Sequence, residues 1–398
     1  MVSGGDKTEP ADGRPAPGAD APAQDMRTMF FDREYSPEAI RQYCGSMRQI
    51  AHVMSFELRD GREKGVHCLH FRTGSGLNFT AVPSRCMDIA FCDYKGINLA
   101  WHSPTTIAAP EFYEAEEMGW LRGFFGGLLT TCGLVNVGRP DQWNGERYGI
   151  HGRIGHTPAS HISHDALWAG NDYYLLARGE MREGRPFGPN LVLRRRIQTQ
   201  AGQRFFSIHD TVVNEGHQPV PLQILYHINA GFPLLCPSSR LYAPTKTLTP
   251  RDAEAAAGLA DHCLFQPPQR NYREQVFYHD LAPCTDGRAW AALVNRELGT
   301  NGGIGLYIKY RTENLPHMTQ WKMMGEGMYV VGLEPSNSYG IGIERAREMG
   351  CLRMIQPGEE IDFHLEIGVL DGAREIEAFE QSINLACPGK PLYAAPLL

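Results

Sequence analysis

Four segments of the chain combine groups that can move or bind protons with glycine-rich or apolar surroundings. They are PSRCMDI with Arg85 and Asp88, YGIHGRIG with His151, LYHINAGFPLL with His227 and Asn229, and YVVGLEPSN with Glu334. Imidazoles and carboxylates are the side chains best suited to general acid–base work near neutral pH. His227 sits within an apolar run. On a strand, Tyr226 and Ile228 would point to one face and His227 and Asn229 to the other, which describes either a polar cleft wall or a core histidine bonded to a carbonyl. Glu334 ends the apolar run YVVGL and is either a rim charge or a partly desolvated carboxylate with a raised pKa. His151 is followed by Gly152, which permits close approach of backbone or ligand, and reads equally as a loop histidine. Arg85 and Asp88 form either a structural ion pair or a pair that binds hydroxyls.

Other chemistries find little support. His67 and His70 are three apart and fall on opposite faces of a strand. His151, His156, His161 and His164 lack a recognised ligand spacing and an adjacent carboxylate pair, so no metal is expected. RGFFGGLLTTCG is glycine-rich but matches neither phosphate-loop pattern.

The elements that must position these residues are strands. Short apolar or alternating runs recur between turn signals, among them GVHCLHFRT, LNFTAVPS, YYLLARGEM, LVLRRRIQTQ, RFFSIHDTVVN, PLQILYHINAGF, IGLYIKYRT, GMYVVGLEP, YGIGIER and IDFHLEIGVL. Many closely spaced strands without intervening helical patterns predict an all-β antiparallel sandwich or barrel. SPEAIRQYCGSM, PRDAEAAAGLADH and DGAREIEAFEQSINLA read as short helices, the first with a serine cap and proline at its first position. Residues 1–25 contain almost no large apolar side chain and are expected to be disordered. Residues 26–398 are expected to form one β-sandwich domain.

The net charge of −7 across 398 residues argues against a nucleic-acid partner, which needs a basic face. No window is long and apolar enough to span a membrane, and the opening residues lack the apolar stretch of a secretory signal. Ten scattered cysteines without a CxxC pair read as reduced thiols in a cytoplasmic protein.

Taken in order, SRCMDI, GIHGRIG, YHINAGF and GLEPSN resemble the motifs of the galactose mutarotase (aldose 1-epimerase) superfamily. TQWK shortly before Glu334 is similar to a tryptophan-bearing strand of some relatives. The resemblance covers roughly residues 28–390 and points to an uncharacterised bacterial branch. It implies a large antiparallel β-sandwich of the mutarotase type. It also implies interconversion of sugar anomers by ring opening and closing, with Glu334 as base, His227 as acid and His151 holding the sugar. Arg85 would bind hydroxyls, with Asn229 and Trp321 positioning and stacking, and no cofactor would be needed. The chain departs from the family in GIHGRIG, which lacks the Phe-Ala of the divergent motif, and in RGFFGG, which lacks the usual Asn-Arg pair. The same groups would also suit a keto-sugar isomerase or epimerase working through an enediol. A non-catalytic sugar-binding protein would keep Arg85 and the aromatic contacts but not need Glu334. The sugar and the oligomeric state are not fixed by the sequence.

Overall fold

The computed structural model describes residues 28–30 and 33–398, so the expectation for residues 1–25 lies outside the described residues. Two large sheets dominate. In the twelve-stranded sheet, the neighbours that matter for function run Gln275–Leu281, His317–Gly325, Met328–Ser336, Gln223–Ala230, Leu129–Leu134 and Asp88–Tyr94. The eight-stranded sheet runs Ser160–Ala169, Asp172–Gly184, Asn190–Gln200, Phe205–Asn214, Glu360–Asp371, Ile304–Tyr310, Ala289–Asn295 and Ser239–Tyr242. Pairing between these neighbours is antiparallel.

The sheets pack face to face, as alternation requires. Residues of Asp172–Gly184 alternate between buried and more exposed along the strand. Phe79 of one sheet stacks on Phe206 of the other with ring centres 4.2 Å apart. Gln223–Ala230 breaks the alternation because all eight residues are buried. Ile224, Tyr226 and Ile228 face the core between the sheets. Leu225 and His227 face the other way, into a cleft roofed by loops. A strand covered on both faces needs apolar residues in nearly every position, which is what ILYHINA supplies.

The three expected helices form at Pro37–Tyr43, Ala253–Ala257 and Ala373–Ala386. Ser36 caps the first through Ala39 N–H, and Asp252 caps the second through Ala255 N–H. One strand expectation fails. In YGIGIER, positive φ at Gly340 and Gly342 bends the chain, and Ile343–Glu348 is a helix with an Arg345–Glu348 ion pair. All ten cysteines are free thiols. Among the described residues no helix is long and apolar enough to cross a membrane, and no cluster of three His, Cys, Asp or Glu is arranged to hold a metal. His67 and His70 bond instead to Ser55 and Thr80.

Candidate active site

Strand register assembles the site. Thr319 lies opposite Glu334, and Tyr278 opposite Thr319. On the other side, the pairing of Ile228 with Leu333 brings His227 level with Glu334. Four adjacent strands thus present His227, Glu334, Thr319 and Tyr278 as one transverse row on the cleft floor. The cleft has a volume of about 600 Å³. Trp120, Phe124, Trp321 and Met323 supply apolar wall, the usual setting for a few polar groups that orient a ligand.

His227 Nε2 stands 3.2 Å from Glu334 Oε1. The approach is close but poorly aligned, and Glu334 Oε1 has no hydrogen-bond donor. Gly332 makes the approach possible, because a Cβ there would lie 2.3 Å from Glu334 Oε1 and 3.1 Å from His227 Cε1. Burial raises the Glu334 pKa well above the carboxylate range. The negative charge of Glu274 adds to this and Arg251 opposes it. Burial, with a smaller contribution from His151, lowers His227 to about 3. Both shifts favour the neutral forms, a carboxyl at Glu334 and an imidazole at His227.

His151 reaches the cleft from a tight loop at φ 59°. Its N–H donates to Gly138 O at 2.8 Å, and its carbonyl accepts from Gly133 N–H at 3.0 Å. Gly152 follows at φ 67°, where a Cβ would lie 2.3 Å from Gly133 O. The His151 ring packs on Trp120 and lies 6.0 Å from the His227 ring. Burial lowers its pKa to about 4. Trp321 meets the His227 ring edge-on at 5.4 Å, and its indole N–H donates to Glu274 Oε2 at 2.8 Å.

Two expected binding residues are placed elsewhere. Arg85 is fully buried, and its guanidinium donates to the carbonyls of Gly155, Ala108 and Gly123 at 2.8, 2.8 and 2.9 Å. It ties three segments together and does not line the cleft, and Asp88 pairs with Arg195, not with it. Asn229 is also fully buried. Its amide donates to the His227 carbonyl at 2.9 Å and more weakly to Gly126 O, so it lies behind the cleft wall. Thr319 and Tyr278 were missed. Alternation from Trp321 could have found Thr319, two residues earlier on the same face. Tyr278 joins the row only through long-range register, for which no local signal exists.

The fold is an antiparallel β-sandwich of the galactose mutarotase-like class. The chain belongs to the family described as Domain of unknown function (DUF4432), whose pattern matches residues 63–369. It is similar to a proposed aldose 1-epimerase from Klebsiella pneumoniae subsp. pneumoniae, with 28% identity, 87% of this chain and 91% of that chain covered, and a TM-score of 0.82. A galactose mutarotase-like protein from Clostridium acetobutylicum shares the fold at 11% identity and TM-score 0.58, covering 81% and 99% of the two chains. Galactose 1-epimerase from Lactobacillus acidophilus NCFM does so at 13% identity and TM-score 0.51, covering 81% and 100%. No curated protein matches the chain.

Proposed function

We propose that the protein is a sugar isomerase of the aldose 1-epimerase type, interconverting anomers by opening and reclosing the hemiacetal ring. The observation that carries this reading is the His227–Glu334 contact, two proton carriers 3.2 Å apart on the floor of a cleft. Ring opening takes a proton from the anomeric hydroxyl and gives one to the ring oxygen, so the catalyst needs one proton shared between two groups. With Glu334 as carboxylate and His227 as imidazolium, Glu334 is the base and His227 the acid. That tautomer is one proton shift from the form in which both groups are neutral. Opening leaves Glu334 protonated and His227 neutral. After rotation about C1–C2, His227 takes the proton of the ring-closing hydroxyl and Glu334 returns its own to the carbonyl oxygen. The cycle closes with no net change. His151 supplies a neutral polar contact beside His227, and Trp321 an apolar face for the sugar. Ten free thiols suit the reducing cytoplasm.

The test is anomer exchange measured by NMR above the spontaneous rate, on a panel of aldoses. Glu334→Gln keeps the shape and is expected to lower the catalysed rate by about 10²–10⁴-fold. Full activity in that variant would sink the assignment. Solvent deuterium entering a carbon position would move the chemistry to an enediol. Binding without exchange would leave a sugar-binding protein.

A further inference from the structure

The charged side chains lining the cleft are Arg139, Arg251, Glu274 and Glu334. Three are already accounted for. Arg251 donates to Asp252 Oδ2 at 2.8 Å and to Glu274 Oε1 at 2.9 Å. Glu274 also accepts from Trp321. Glu334 is buried against His227. Arg139 differs: its guanidinium makes no ion pair and no hydrogen bond among the described residues, although the chain as a whole carries a charge of −7.

The backbone that carries Arg139 is rigid. Asn136 Nδ2 donates to Arg139 O at 3.0 Å, and His151 N–H holds Gly138 O at 2.8 Å. Gly138 crosses Gly340 so closely that a Cβ on Gly138 would lie 1.7 Å from Gly340 O. One clamp therefore fixes both His151 and the base of Arg139, and only the arginine side chain is free. The exposed Arg139 side chain and Tyr278 line the same cleft. The same cleft holds further groups without partners. Thr319 is 5% exposed and its Oγ1 has no partner. The Tyr278 hydroxyl has none among the described residues, and its ring packs edge-on against Tyr339 at 5.2 Å. Buried polar groups without partners are costly unless a ligand or water satisfies them.

We propose that the substrate is an acidic sugar, bearing a carboxylate, phosphate or sulfonate, whose acidic group pairs with Arg139 beside Tyr278 while its anomeric end meets His227 and Glu334. This rests on reading the cleft as a sugar site. A guanidinium is the side chain best matched to such groups, through two parallel N–H donors. Thr319 and Tyr278 add neutral donors along the ring between the two ends.

Matched neutral and acidic sugars test it: glucose against glucuronate and glucose 6-phosphate, and galactose against galacturonate. Binding is read by calorimetry at low salt, and anomer exchange by NMR separately. The acidic member of at least one pair should bind about tenfold tighter or more, a difference of about 1.4 kcal/mol. The neutral-to-acidic ratio should fall to near one in Arg139→Ala and be partly kept in Arg139→Lys. Comparing carboxylate with phosphate identifies which acid the subsite prefers. Equal binding of neutral and acidic members, or a preference that Arg139→Ala leaves intact, overturns the subsite, and Arg139 is then a solvated surface charge. Exchange of neutral sugars in that case keeps the isomerase reading. Arg139-dependent binding of an acidic sugar without exchange keeps the subsite and sinks the isomerase reading.

Discussion

Tyr226 and His227 are neighbours in one strand, yet they belong to buried polar clusters of opposite character. Tyr226 points inward, to a cluster between the sheets. There Arg195 donates to Asp210 at 2.9 and 2.6 Å, to Asp88 and the Cys86 carbonyl at 3.1 Å, and to Thr131 Oγ1 at 2.9 Å. Thr131 gives its hydroxyl and its N–H to the two oxygens of Asp88, and Tyr226 gives its hydroxyl to Asp210. His227 points outward, to a group of equally buried atoms that lack partners: His227 Nδ1, His151 Nδ1, Thr319 Oγ1 and Glu334 Oε1. Both clusters are buried; they differ in how far their hydrogen bonds are made. A network with every bond made holds a fold together, whereas one left open is costly unless it is neutral or water or a ligand completes it. Burial favours the neutral forms of the cleft groups, moving Glu334 up and the two histidines down.

Breaking the inner cluster should have the largest effect on stability. Arg195→Ala leaves Asp88 and Asp210 buried without their cation, and removal of one partner from such a cluster costs about 3–5 kcal/mol. Chemical denaturation should show that loss, with any activity change following the folded fraction. A variant as stable as the parent would mean that the inner cluster is not what closes the sandwich.

Arg85→Ala should come next, at about 2–3 kcal/mol, because it strips the partner from three buried carbonyls. KM of the folded fraction should stay near the parent value, since no Arg85 donor faces the cleft. A raised KM at unchanged stability would restore Arg85 as a substrate ligand.

Arg85 also shows where the sequence stops being readable. Its carbonyl partners lie 70, 23 and 38 residues away, in loops whose paths no local pattern specifies. His227 was legible because alternation in ILYHINA separates its face from that of Tyr226 and Ile228. Asn229 shares that face, but its amide turns to the backbone carbonyls of Gly126 and His227, which alternation cannot foresee. The all-β architecture followed from the spacing of apolar runs and turns. The helix at Ile343–Glu348 did not, because two positive-φ glycines precede a run whose apolar spacing suits a strand as well.

The pH dependence of stability sharpens the contrast by about 1.4 kcal/mol per pH unit. Above 4.5 the unfolded chain loses the Glu334 proton while the folded chain keeps it. The folded state then binds more protons, so stability falls as pH rises until the folded value is passed. His227 and His151 act in the opposite sense. Their folded values of about 3 and 4 lie below 6.5, so their contribution is present above 6.5 and lost as pH falls toward those values. Glu334→Gln should remove only the alkaline loss and become more stable than the parent as pH rises from 5 to 8. A constant difference across that range would show that Glu334 is ionised in the folded protein.

The smallest effect makes the most controlled comparison, because one substitution can be placed in both clusters. Thr131 and Thr319 are both almost fully buried, and valine replaces a threonine hydroxyl by a methyl of similar size. Thr131→Val breaks bonds to Asp88 at 2.6 Å and Arg195 at 2.9 Å, leaving charged groups short of partners at a cost of about 1–3 kcal/mol. Thr319→Val removes a hydroxyl that already lacks a partner, so stability should hold or rise by about 1 kcal/mol. The functional effects should run the other way. Losing the Thr319 hydroxyl should weaken sugar binding and raise KM, while folded Thr131→Val binds as the parent does. If both variants lost the same stability, Thr319 would have a partner in solution and the cleft would not be an open network. If Thr319→Val changed neither stability nor KM, its hydroxyl would face no ligand, and the row from His227 to Tyr278 would end at Glu334.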